Sequence, residues 1–183
     1  MKADLALLRE QIENCKGIIT SLAERAGQTR AEGGRASGID RWLEEVIAHW
    51  KRLRPHAGVD IRLHGTSPAP QIVGEATLEQ ALLNLFNNAA DAASSNVEIE
   101  AEWNARTLRV EVRDRGAGID ETMLLNAGRA FITTRPQGTG IGLFLAHAAV
   151  ERFGGRIVLA NRDGGGAVTR IELPLERIMA AEP

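Results

Sequence analysis

The sequence predicts an α/β fold: a two-layer α/β sandwich, one sheet covered on one face by helices, preceded by a long coiled-coil-like helix. Three observations carry this. Residues 97–103 and 107–113 alternate apolar and charged side chains around Asn104-Ala105, and 157–160 and 168–173 flank Asp163-Gly164-Gly165-Gly166, so two hairpins are expected. Apolar residues recur at helical spacing through 40–53 and 77–93. Near the start, Leu5, Leu8, Ile12, Cys15, Ile19, Leu22 and Ala26 step by three and four, the seam of a coiled coil or four-helix bundle.

The first helix, over residues 4–26, is amphipathic and would be marginal alone, so its seam predicts a partner helix. Gly27 to Gly38, with Gly33-Gly34 and Ser37, reads as a flexible connection. The expected division is a bundle helix over 1–30, a hinge over 31–38, a catalytic domain over 39–177 and a tail over 178–183. Within the domain, Trp42, Leu43, Val46, Ile47 and Trp50 form a helical stripe that Pro55 ends. Val59, Ile61 and Leu63 alternate as a strand, and Thr77-x-x-Gln80 has the form of a capping box opening the next helix.

Composition sets bounds. At 183 residues the chain accommodates one substantial core and a smaller appendage, and its net charge of −2 lacks the basic footprint of nucleic-acid binding. No apolar run approaches a membrane span and Met1-Lys2-Ala3-Asp4 does not begin a signal peptide, so a cytoplasmic fragment without membrane contact is expected. A single cysteine excludes an internal disulfide framework.

The chemistry is concentrated between Asp114 and Leu143. Gly116 and Gly118 follow Asp114, and Gly138, Gly140 and Gly142 precede an apolar helical run. A glycine loop opening a helix presents unpaired N–H groups and the positive end of a dipole, which suits phosphate. Neither the P-loop nor the dinucleotide fingerprint fits, for no Lys follows the glycines and no strand precedes Gly138. Upstream, Asn84 and Asn88 share one face of an otherwise apolar helix, where amide oxygens can serve Mg²⁺ or hydrogen-bond a neighbouring loop.

Asn84…Asn88-Ala89, Asp114-x-Gly116-x-Gly118-Ile119, Phe131 and Gly138-x-Gly140-x-Gly142-Leu143 resemble, in order and spacing, the asparagine, phenylalanine and two glycine boxes of sensor histidine kinases. These share the GHKL (Bergerat) ATP-binding fold with gyrase, the Hsp90 chaperones and the MutL proteins, and within the kinases the chain looks like the redox-responsive RegB/PrrB group. The resemblance spans roughly Gly38 to Leu175.

It implies that ATP and Mg²⁺ are bound. Asp114 would accept a hydrogen bond from the exocyclic amine of adenine and so reject guanine, with Gly116 and Gly118 letting the backbone approach the base. Asn88, with Asn84, would hold the metal, and Asn84 and Arg135 would act on the phosphates. Phe131, Thr134, Thr139, Gly138, Gly140, Gly142, Leu143 and Thr169 would complete the ATP site, with residues 126–139 as a lid. The helix at 4–26 becomes the second helix of a dimerisation and phosphotransfer bundle, making a homodimer. The acceptor His belongs to an absent first helix, since His49, His56, His64 and His147 all lack the acceptor motif. The fragment should then bind ATP without phosphorylating itself, in a kinase whose partner is a cytoplasmic response regulator and whose sensor lies in the inner membrane. Cys15, beside Lys16, is the candidate redox switch; its bland alternative is a small apolar seam residue.

Two departures stand out. Asp91 occupies a position often basic in the family and is expected to turn away from the phosphates, and Ala167 stands where a Thr is common, leaving Thr169 on the same strand face. An ATPase of the same fold is the main alternative, but it needs a Glu base where this chain has Asn84. A serine kinase of the anti-sigma type and a pure scaffold complete the alternatives.

Overall fold

In this computed structural model the described residues are 36–92, 96–120 and 141–180. The expectations for the helix at 4–26, for Cys15, and for Phe131, Thr134, Arg135, Gly138, Thr139 and Gly140 lie outside them. In chain order the elements are β1 (Ala36–Gly38), α1 (Ile39–Leu53), β2 (Val59–Gly65), β3 (Gln71–Val73) and α2 (Ala76–Ala92). They continue with β4 (Val97–Trp103), β5 (Thr107–Arg113), α3 (Ile141–Arg152), β6 (Arg156–Asn161), β7 (Ala167–Pro174) and a 3₁₀ turn at Leu175–Arg177.

Five strands form the main sheet in the order β2-β4-β5-β7-β6. Both expected hairpins are present, β4 with β5 and β6 with β7, and β5 joins β7 antiparallel at the centre. The first turn is closed by Asn104, whose Oδ1 accepts from the amides of Arg106 at 2.8 Å and Thr107 at 2.9 Å. At one edge β2 runs parallel to β4, the connection between them passing through α2.

Alternation sorts the sheet into two faces. Val97, Ile99, Ala101 and Trp103 of β4, Leu108, Val110 and Val112 of β5, and Ile171 and Leu173 of β7 are buried against the helices. The whole expected stripe of α1 is buried, and Trp50 meets Phe86 of α2 edge-on with ring centroids 5.7 Å apart. The opposite face is charged. Arg113 pairs with Glu100 at 2.6 Å and with Glu111, and Arg170 reaches the other oxygen of Glu111 at 2.6 Å. The hydrogen bond from Arg113 holds the Glu100 carboxyl below its usual range.

Three expectations change. Residues 36–38, expected as the end of the hinge, pair with β3 (Ala36 opposite Val73), and so belong to the folded domain. Residues 178–180 are not a loose tail: Ile178 is buried, its carbonyl accepts from Val73, and Ala180 donates to Gln71. The capping box does not form. Thr77 lies inside α2 with its hydroxyl buried and without a partner, while the carbonyl of Glu75 accepts from Leu78 and Glu79 and starts the helix two residues earlier.

Candidate functional site

Asp114 directly follows β5 and continues the inward set of Leu108, Val110 and Val112, so the strand's alternation delivers its carboxylate between sheet and helices. It is 7% exposed. Its Oδ1 accepts from the amide of Gly116 at 2.8 Å and from that of Ala167 at 3.2 Å. Its own amide donates to the Ala167 carbonyl at 3.0 Å. Among the described residues nothing is bonded to Oδ2, which leaves one oxygen of a largely buried carboxylate as an acceptor oriented by the main chain. That arrangement fits the exocyclic amine of adenine and disfavours a carbonyl at the same place.

The loop after Asp114 is shaped by close approaches. At Gly116 a Cβ would lie 2.3 Å from the carbonyl of Ala92, so the glycine admits the end of α2. This is a different reason from the expected approach to a base. Gly118 has φ +79°, a conformation that favours glycine. Ile119 is held on both sides by Asn161: its amide donates to Asn161 Oδ1 at 2.7 Å, and Asn161 Nδ2 donates to its carbonyl at 2.8 Å. Arg162 reaches the Asp114 carbonyl at 3.1 Å and Glu98 at 3.0 Å. Across the hairpin, Gly166 has φ +93°, and a Cβ there would meet the Asp114 carbonyl at 2.1 Å.

The second wall is α2. Asn84 donates to the carbonyl of Gly142 at 3.2 Å and accepts from Gln80 at 3.1 Å, strapping α2 to the glycine-opened start of α3. Both ends of its amide are engaged with protein, but an amide oxygen carries two lone pairs, so the bond from Gln80 does not exclude a metal or phosphate role for Asn84. Asn88 is half-buried one turn further along the same helix. Asn87 points elsewhere, accepting from the Trp50 indole at 3.1 Å and fixing the rotation of α2 against α1. Asp91 turns away as expected; it pairs with Arg54 at the end of α1, 2.8 Å away. Leu143 is half-buried against the core, and Thr169 is half-buried on the face shared by Ala167 and Ile171. On α3, His147 has its Nε2 buried without a partner, and burial pushes its pKa down against the opposing charge of Glu151.

Asn161 and Arg162 were not singled out in the sequence, and Trp50 was named only as a core residue, not as the donor to Asn87. Asn161 is 42 residues from Ile119 and Arg162 is 48 from Asp114, separations that no local pattern bridges.

A buried acceptor at a strand end, an asparagine helix one layer away and a glycine-opened helix packed on it define a nucleotide-binding α/β sandwich. The chain belongs to the family of histidine kinase-, DNA gyrase B-, and HSP90-like ATPases, whose model matches residues 74–177. It is 27% identical to the sensor histidine kinase RegB of Cereibacter sphaeroides, over 98% of this chain and 44% of RegB, so it spans less than half of that relative. The nucleotide-free catalytic domain of the histidine kinase ThkA superposes with a TM-score of 0.63 at 26% identity, covering 76% of this chain and 94% of that one. Full-length ShkA in complex with AMPPNP gives 0.63 at 25% identity, covering 84% and 33%. The described domain is the ATP-binding catalytic region of a sensor histidine kinase. Among the described residues no helix is long and apolar enough to cross a membrane.

Proposed function

We propose that this region transfers the γ-phosphoryl group of ATP to a histidine on a bundle helix outside the sequence, for relay to a response regulator. The P–O bond to ADP breaks as a P–N bond to the imidazole forms, and the imidazole gives up its proton. The observation that carries the reading is the Asp114 carboxylate, 7% exposed, with Oδ1 bonded to two main-chain amides and Oδ2 left as an acceptor for adenine.

Transfer is favoured over hydrolysis by Asn84. An amide cannot accept a proton from water near neutral pH, and this one is bonded to Gly142 and Gln80. Asn88, on the α2 face that meets α3, would hold Mg²⁺ through its amide oxygen; the ion supplies charge neutralisation on the substrate phosphates. Arg135 would bind the terminal phosphate, and Thr134, Thr139 and the main chain at Gly138, Gly140 and Gly142 would line the phosphate chain, with Phe131 alongside. Their order and spacing in the sequence support this. The heptad pattern over 4–26 supports a homodimer in which these residues form the second bundle helix. Similarity to RegB, together with the single cysteine on that seam, supports a redox-responsive kinase with Cys15 as its switch, anchored in the inner membrane by a segment not in this sequence.

The test mixes this chain with a separately prepared acceptor helix pair and γ-labelled ATP or GTP. Acid-labile phosphate on the added histidine, with ATP only, is the expected result. Steady release of inorganic phosphate without transfer would replace the kinase reading with that of an ATPase, and indifference to the base would remove the role of Asp114.

A further inference from the structure

Asn161 is exposed, yet both ends of its carboxamide are used on one residue, Ile119, at 2.7 and 2.8 Å. Donating to the carbonyl and accepting from the amide of the same residue is what a paired strand would do; here one side chain replaces the strand. A structural Asn at the end of β6 would instead close the β6–β7 turn. That turn is closed without it, by the Arg162 amide on the Gly166 carbonyl at 3.0 Å and the Gly165 amide on the Arg162 carbonyl at 3.2 Å. The next residue, Arg162, holds the other end of the same loop through the Asp114 carbonyl. Two consecutive residues therefore grip the segment Asp114–Ile119 at its two ends, and Gly118 between them is kept at positive φ.

We propose that Asn161 is a positioning residue of the purine pocket, its carboxamide clamping the Gly118–Ile119 backbone in the conformation that receives the base before nucleotide arrives. This rests on Asp114 being the purine acceptor. Preorganising a loop lowers the ordering cost of binding, so the clamp contributes to affinity at the base end of the nucleotide and not at its metal end.

Asn161→Ala and Asn161→Asp test it, by calorimetric titration with ADP, with and without magnesium. Both variants should bind about tenfold more weakly near pH 7.5, the loss expected of one or two hydrogen bonds, with the magnesium dependence unchanged. The Asp variant can still accept from the Ile119 amide but sets an anionic oxygen against the Ile119 carbonyl. Once protonated, the acid reproduces the donor and acceptor of the amide. Lowering the pH toward about 4, near the ordinary Asp pKa, should therefore recover much of the lost affinity in Asn161→Asp relative to the parent at the same pH, and not in Asn161→Ala. Parent-like affinity in both variants, or a pH profile common to the two, overturns the clamp. A parent chain that binds GDP as well as ADP overturns the Asp114 reading itself, a distinct result, and the clamp falls with it.

Discussion

Asp114 and Ala167 are bonded to each other twice, the aspartate amide donating to the Ala167 carbonyl at 3.0 Å and the Ala167 amide donating to Oδ1 at 3.2 Å. One of these bonds is a rung of the sheet; the other turns a side chain into part of the same ladder. The carboxylate is thus aimed by main-chain hydrogen bonds at the end of the strand.

Replacing Asp114 by Asn keeps an oxygen for the Gly116 and Ala167 amides and turns an NH₂ group toward the place of the adenine amine. Two donors then meet. ATP affinity measured by calorimetry should fall by about a hundredfold, while the melting temperature stays within about 3 °C of the parent, since no apolar group is removed. A variant that binds ATP as tightly as the parent would remove Asp114 from recognition.

Asn84 and Asn88 should separate. Asn84→Ala removes the strap between α2 and Gly142, and should cost about 1 kcal/mol of stability in urea unfolding, along with some affinity in the presence or absence of metal. Asn88→Ala should abolish the magnesium-dependent part of ATP affinity and leave the metal-free part close to the parent's. Equal metal responses in parent and Asn88→Ala would rule out the ligand.

His147 gives the domain a pH dependence. Burial lowers its folded-state pKa below the ordinary value of 6.5, so the unfolded chain takes up a proton first as pH falls. Its contribution is stable above that value and is lost as the pH falls below it toward the folded pKa. His147→Gln should flatten the fall in melting temperature from about pH 6.5 to 5, which calorimetric scans across the range would measure. An unchanged slope would assign the acid sensitivity to other groups.

The outer sheet face has its own weak point. Glu111 is 7% exposed between the guanidinium groups of Arg113 and Arg170. Glu111→Ala would leave both cations facing each other across the strands. A stability loss of about 2 kcal/mol is expected, moderated by the partial exposure of the arginines. A melting temperature lower by about 6 °C, with partial recovery at high salt, is the corresponding reading.

The hairpins were legible because their alternation is long and regular, and α1 because Trp42, Val46 and Trp50 repeat at helical spacing. Three-residue strands such as β1 and β3 carry too few residues for a period to emerge, and only their mutual pairing defines them. The sequence pointed to Asp114 and to the asparagine helix, but it did not reveal what holds them. Asn84 reads as a ligand by its neighbours in sequence, whereas its bond to Gly142, 58 residues away, follows only from the packing of α2 on α3. Asp91 shows the same limit: an acid near phosphates predicts that it turns aside, whereas Arg54 as its partner follows only from the packing of α1 on α2.

The bare α-carbon of Gly116 rests against the carbonyl of Ala92, four residues along the helix from Asn88. Four residues of helix advance about 6 Å, and the segment between them is rigid. The end of α2 therefore works as a gauge, fixing how far the loop beside the purine stands from the asparagine turn. Adding or deleting one residue there would swing that asparagine by about 100° and change the length of ligand the cleft measures.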